Sequence, residues 1–339
     1  MDRIQDAIAN GRYRRGDFFE GGGPKTHEAF TDYADEWLKT LSVAKSTKRS
    51  YTTAMRATWK LAFADKLLTD IRYSDVKKAV AAKQAGGATG KTINNQLIPL
   101  RDLFKCAVND RLIASSPTDG IHNLPHQRPE PDPFDGDERA LILDHIRERY
   151  DEQAWNYYTF AFGTGARPSE QIILSWPDID WRRRKAKISK ALVEGEVKST
   201  KTSLIREVDL ADTVMEALKR QKVHTFMKDP EGPVFNDPLH GKPFPNERAP
   251  RRRFFQPTLR ALGIRGRDAY QTRHTFATEL LMGGVNPAYI AKQLGHANTG
   301  MLFKHYAKWI DGADRGSEAA KLNAILSASK APDDAEKEG

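Results

Sequence analysis

From residue 30 onward, apolar and polar positions recur with helical spacing. Phe30, Tyr33, Ala34, Trp37, Leu38 and Leu41 fall three or four apart, which places them on one face of a helix with Thr26 as its expected cap. A second helix is predicted with Ser46 as cap, carrying Tyr51, Met55, Trp59 and Ala62, and a third with Ser74 as cap, carrying Val76, Ala79 and Val80. A fourth runs through Ile93, Leu97, Leu100, Phe104 and Ala107. Pro99 lies inside it and, lacking an amide donor, is expected to kink or split it. Four such helices make a small bundle. Between Pro117 and Asp137 come five prolines, at 117, 125, 129, 131 and 133, which disfavour both helix and central strand. Helical patterns return at 137–149, 153–162 and 169–175. A stretch of β character follows from Ala186 to Leu210, turning near Glu194-Gly195-Glu196. Further helices are predicted near 211–226, 246–262, 272–283, 287–294 and 299–307. The expected fold class is mainly α with a small β-sheet.

With 339 residues, the chain exceeds what one core usually serves, so two domains are expected. The pattern divides it into an arm or linker at 1–25, a helical domain at 26–117, a proline-rich linker at 118–136, a second domain at 137–311, and a C-terminal helix and tail at 312–339. An amphipathic segment at 319–326 carries that last helix. Cys106 is the single cysteine, set in an apolar helical stretch, which excludes an intramolecular disulfide. No apolar run reaches membrane-spanning length, and the start lacks a signal-peptide pattern, so a cytoplasmic protein of a bacterial host cell, without membrane contact, is expected. The net charge is +9. Nine Lys or Arg lie between Trp181 and Arg206 against two glutamates, and a second run stands at Arg251, Arg252 and Arg253. Such clustering points to a polyanion, because each phosphate neutralised by Lys or Arg releases counterions from the nucleic acid.

Three fragments carry the chemistry: Gly163-Thr164-Gly165-Ala166-Arg167-Pro168-Ser169-Glu170, then Ala269-Tyr270-Gln271-Thr272-Arg273-His274-Thr275-Phe276-Ala277, then Leu294-Gly295-His296, with Tyr306 ten residues after that histidine. Singly each is weak. In this order they resemble the active-site boxes of the tyrosine recombinases, the phage integrase family, and the resemblance spans roughly residues 26–310. It implies an N-terminal helical core-binding domain, which grips DNA, and an α+β catalytic domain. The activity implied is site-specific cleavage and rejoining of DNA through a 3′-phosphotyrosyl intermediate. An Xer-like dimer-resolution recombinase is the nearest alternative. A type IB topoisomerase with the same phosphotyrosine chemistry and a catalytically silent DNA-binding regulator on this fold are the others.

The residue types suit that chemistry. Transesterification of a phosphodiester adds negative charge to the nonbridging oxygens in the transition state, and fixed cations stabilise it. Arg167 and Arg273 offer planar forks that bind phosphate oxygens and stay charged. Tyr306 holds the nucleophile's position, and a phenoxide is also a fair leaving group when the strand is resealed. Its competitors are Tyr270 and Tyr289, the latter expected in the core of its helix. Because the phosphotyrosine conserves the bond energy, neither nucleotide nor metal cofactor is expected. By resemblance, Lys201, with Lys198 as the alternative, protonates the departing 5′ oxygen, and His296 donates a hydrogen bond to a phosphate oxygen. Glu170 and His274 are expected to orient the arginines. Tyr270 stands where the better-known pattern has histidine, and is expected to orient a phosphate oxygen.

Double-stranded DNA carrying attachment-type sites is the expected partner. Lys45, Lys48 and Arg49 at the start of the second helix, Lys91, Asn94 and Asn95 at the start of the fourth, and Arg251 and Arg252 are the candidate contacts. The resemblance further implies a homotetramer on synapsed DNA, with an excisionase or DNA-bending protein as possible accessory.

Overall fold

The apolar stripe from Phe30 does fold into a helix, α1 (Phe30–Thr40), which buries Phe30, Tyr33, Ala34, Trp37 and Leu38. Its N-cap is Ala29, and Thr26 lies outside the described residues. The computed structural model describes residues 28–126, 130–193, 195–199, 205–296, 298–304, 306, 322–324 and 326–327. It divides the chain into two compact units between Arg128 and Pro129.

In the first unit, α2 (Lys45–Ala54) starts one residue before Ser46, with Ala44 as N-cap, and runs on through a π-helical turn at Met55–Trp59 into Lys60–Ala62. Met55 and Trp59 are wholly buried, and the Trp59 indole donates to Gln96 O at 2.8 Å. The third helix, α3 (Tyr73–Ala85), takes Arg72 as N-cap, so Ser74 is already inside it. Helix α4 (Gly90–Asn109) is capped by Thr89 and contains Pro99 without splitting. Pro99 is itself buried, about a third of a turn around from the face that carries Ile93, Leu97, Leu100 and Phe104.

Asn94 corrects an expectation. It is 7% exposed; its Nδ2 donates to Leu124 O and its Oδ1 accepts from Leu124 N, both at 2.8 Å. The side chain satisfies the backbone of a non-repetitive segment and is not presented to a DNA base. Two turns later Arg101 also holds this segment, donating to Ile121 O and Asn123 Oδ1. Lys45, Arg49, Lys91 and Asn95 are exposed, whereas Lys48 is half-buried with its Nζ on Lys39 O.

The proline-rich stretch is shared between the two units. Its first part is held by Asn94 and Arg101, while Phe134 is 2% exposed in the second core, its amide donating to Thr275 Oγ1. The second unit opens with α5 (Gly136–Arg149), capped by Asp135, then α6 (Glu152–Thr164) and a short α7 (Pro168–Gln171). Strands β1 (Ile179–Asp180), β2 (Lys185–Ile188) and β5 (Arg206–Asp209) form an antiparallel sheet in the order β1-β2-β5, with Ile188 opposite Arg206. Between β2 and β5 stands a separate hairpin of β3 (Lys190–Val193) and β4 (Glu196–Ser199). Asn236–Asp237 pairs with Lys242–Pro243, so the described residues hold three small sheets where one was expected. Helix α8 (Asp212–His224) packs on α6. After a π-helical stretch at Arg251–Phe255 come α9 (Gln256–Ala261), α10 (Gln271–Met282) and α11 (Pro287–Leu294). In the expected C-terminal helix only 322–324 and 326–327 are described, and these are helical and exposed.

Candidate active site

Two left-handed glycines place the site. Gly165, at φ +60°, ends α6, and a Cβ there would come within 2.7 Å of the Phe276 ring. The chain can then turn so that Arg167 becomes the N-cap of α7 with Pro168 at its first position. Glu170, three residues on, reaches back and accepts from the Arg167 backbone amide at 2.9 Å, while Arg167 Nη1 donates to Glu170 Oε1 at 2.7 Å. The second glycine, Gly295 at φ +66°, ends α11 and delivers His296, which is half-buried.

Helix α10 brings Tyr270, Arg273 and His274 onto one face by their spacing of three and four. Arg273 is 1% exposed and donates to Gly165 O at 2.8 Å and Leu294 O at 2.5 Å, so the ends of α6 and α11 are both fastened to one guanidinium. Burial pulls its pKa down to about 10, with Arg167 and Arg206 adding repulsion; at neutral pH it remains a desolvated cation. The Arg167 guanidinium is partly exposed and lies beside Tyr270, and Glu170 holds its pKa up against the effect of burial.

Arg206 was missed from the sequence. Its guanidinium is buried and binds Glu170 through both nitrogens, at 3.1 and 2.7 Å, while Nε donates to Gln293 O at 2.9 Å. Glu170 therefore serves two arginines. Burial works to raise its pKa, but Arg206 first and Arg167 second hold it down at about 2. A legible signal existed: Arg206 is in phase with Val208 on the inner face of β5, and a cation on a buried strand face demands a carboxylate.

Tyr306 is 2% exposed, its ring among Ala277, Leu281, Ile290 and Leu294. Its hydroxyl is hydrogen-bonded to Nδ1 of His274. That bond adds a second partner type to the orienting role expected of His274, whose ring centroid is 5.2 Å from the Tyr270 ring and 5.5 Å from the Tyr306 ring. Burial pushes the Tyr306 phenol well above its ordinary range, and the nearby Arg273 charge only partly opposes this. Tyr289 is also corrected. It is 41% exposed, and its hydroxyl donates to Asp209 Oδ2 instead of lying in the core.

Lys201 lies outside the described residues, in the connection from β4 to β5. Lys198, on β4, is half-buried with Glu196 at 3.8 Å. Much of the basic cluster around it is internally neutralised: Arg183 binds Glu207 with two 2.8 Å bonds, and Lys185 lies between Glu207 and Asp209. Arg251 pairs with Asp268 and Arg252 is exposed. Together with Arg260 and Arg267 they line an open, arginine-rich cavity. Among the described residues no cluster of His, Cys, Asp or Glu is placed to hold a metal, and no helix is long and apolar enough to cross a membrane.

Residues 134–311 match the phage integrase family, and residues 34–110 match the phage integrase N-terminal SAM-like domain. The prophage integrase IntR of Escherichia coli K12 is 31% identical over 263 residues, covering 71% of this chain and 62% of its own. The putative defective protein IntQ of the same strain is 30% identical over 269 residues, covering 71% and 65%. The chain thus spans somewhat under two thirds of the length of these relatives. The fold is similar to that of the Tn1549 transposon integrase in complex with a circular intermediate DNA, with a TM-score of 0.72 at 20% identity, covering 88% of this chain and 99% of that one.

Proposed function

The chain belongs to the phage integrase family, and on that premise we propose that it is a site-specific DNA recombinase of the prophage integrase kind. The observation that carries this reading is the convergence of Arg167, Tyr270, Arg273, His274 and Tyr306, drawn from α6–α7, α10 and the segment after α11, around one small space. The 31% identity to the prophage integrase IntR, against 24% for a tyrosine recombinase XerD of Staphylococcus saprophyticus, supports integration over dimer resolution.

In the proposed reaction, Tyr306 Oη attacks the scissile phosphorus as the bond to the 5′ oxygen breaks, leaving a 3′-phosphotyrosine. Arg167 and Arg273 hold the nonbridging oxygens where charge develops, a task for which a desolvated, pre-positioned guanidinium is suited. His296 adds a hydrogen bond there, Tyr270 orients one oxygen, and Lys201 protonates the departing 5′ oxygen. The ester keeps the energy of the broken bond, so resealing draws on no nucleotide. Exchange between two duplexes requires one nucleophile for each strand cut, which makes a homotetramer on paired sites the assembly proposed. Duplex DNA is the substrate, with the exposed Lys45, Arg49, Lys91, Asn95 and Arg252 as phosphate or base contacts.

The test is capture of DNA. Wild-type protein incubated with nicked suicide duplexes is expected to give a detergent-stable adduct that EDTA does not suppress, and Tyr306→Phe is expected to bind the duplex yet give none. An adduct at normal yield from Tyr306→Phe would overturn the assignment.

A further inference from the structure

The site presents a chemical problem at its nucleophile. A phenol attacks phosphorus well only as it loses its proton, and the hydroxyl of Tyr306 is carried on a ring packed among aliphatic side chains, away from bulk water. The family pattern supplies a histidine three residues before the second arginine, but here that position is Tyr270. A phenol is a poor proton acceptor near neutrality, and Tyr270 is engaged with the Arg167 guanidinium, which favours an oxygen lone pair directed at a cation.

His274, next along the chain from Arg273 and one helical turn from Tyr270, has its Nδ1 on the Tyr306 hydroxyl. An imidazole titrates within reach of neutral pH and in its Nε2–H tautomer presents Nδ1 as an acceptor. Resting on the recombinase reading, we propose that His274 is the catalytic base that takes the Tyr306 proton during strand cleavage and returns it during resealing. The Oη–H proton moves to Nδ1 as the Oη–P bond forms and the bond from phosphorus to the 5′ oxygen breaks, and the leaving oxygen takes its proton from Lys201. In resealing, the 5′ hydroxyl attacks, Oη leaves phosphorus, and the imidazolium gives its proton back to Oη. The histidine ends each cycle neutral, and no further reactant is needed.

The groups facing the imidazole favour this exchange. Tyr306 approaches from the segment after α11, the Tyr270 ring lies edge-on at 5.2 Å at the start of the same helix, and the Arg273 charge acts on the Tyr306 phenol. The Arg273 charge favours the phenoxide as its proton moves to Nδ1.

The full chain is first offered a pool of nicked duplexes with a randomised core, and the sequence it captures covalently becomes the substrate. His274→Asn places an amide oxygen near the position of Nδ1; it keeps the hydrogen bond but cannot take the proton. Single-turnover cleavage at pH 7 is expected to fall about a hundredfold at unchanged duplex affinity. The variant's rate should then climb roughly tenfold per pH unit from pH 7 to 9, as hydroxide replaces the base, whereas the wild-type rate levels off. Cleavage that is unchanged or faster in His274→Asn, or that follows the wild-type pH profile, would overturn the inference, as would an Nδ1–H tautomer at neutral pH in nitrogen spectra of the histidine-labelled wild-type chain. Failure of the wild type to capture any duplex would instead overturn the recombinase reading.

Discussion

Arg167 and Arg273 occupy one site but stand differently in the fold, and their substitutions should separate. Arg167 is partly exposed and meets only side chains, Glu170 and Tyr270, so Arg167→Ala is expected to slow cleavage by about a hundredfold to ten-thousandfold with duplex affinity and melting temperature little changed. Arg273 also satisfies the carbonyls of Gly165 and Leu294 from within the core. Arg273→Ala should slow cleavage as much and in addition destabilise the catalytic unit by roughly 1–3 kcal/mol, read by urea denaturation. Glu170 gives a pH forecast. Its folded value of about 2 lies below that of the unfolded chain, so its contribution is complete above about pH 4.5 and is lost as pH falls toward 2. The difference in unfolding free energy between wild type and Glu170→Gln should accordingly be flat above pH 5 and shrink by about 3 kcal/mol on acidification, which denaturant titrations at stepped pH would measure.

At the level of elements, strand β5 is the strut to which the others are tied. Arg206 at its start binds Glu170 below Arg167 and the Gln293 carbonyl at the end of α11. Asp209 at its end accepts from Gln293 Nε2 and the Tyr289 hydroxyl. Gly295 packs against the Arg206 side chain, where a Cβ would sit 2.8 Å from Cδ, so the turn that delivers His296 is shaped by the same residue. Arg206→Met is expected to cost about 3–5 kcal/mol of stability, because it leaves the Glu170 charge buried with half its partners, and Arg206→Lys should recover only part of that. Equal thermal stability of Arg206→Met and wild type would show that the pair contributes nothing to holding α11.

For the whole molecule the governing quantity is charge. With +9 overall, duplex affinity should fall linearly on a plot of log K against log salt, and each phosphate contact removed should lessen the slope by about 0.9. Lys45→Ala, Arg49→Ala and Lys91→Ala are expected to do this singly, since those side chains are exposed. Asn94→Ala should leave the slope alone and instead destabilise the first unit by about 1–3 kcal/mol, because it strands the Leu124 backbone. Salt titrations of binding, paired with unfolding curves, distinguish the two behaviours.

The sequence by itself determined the helices, since an apolar face at intervals of three and four is a local pattern that burial then satisfies, as along α1 and α4. It also marked two arginines, a tyrosine and the histidines as candidates, by chemistry and order together. Caps were less legible: Ala29, Ala44 and Arg72 begin helices where Thr26, Ser46 and Ser74 had the better side chains, because the one hydrogen bond a cap supplies is a small term in where a helix starts. Only the tertiary structure decided the partners. Glu170 meets Arg206 from 36 residues away, His274 meets Tyr306 across 32, and Asn94 turns from solvent to Leu124, 30 residues on. A side chain's type states which bonds it can make, but the partner it finds is set by how helices and strands distant in sequence are brought together when their apolar faces are buried.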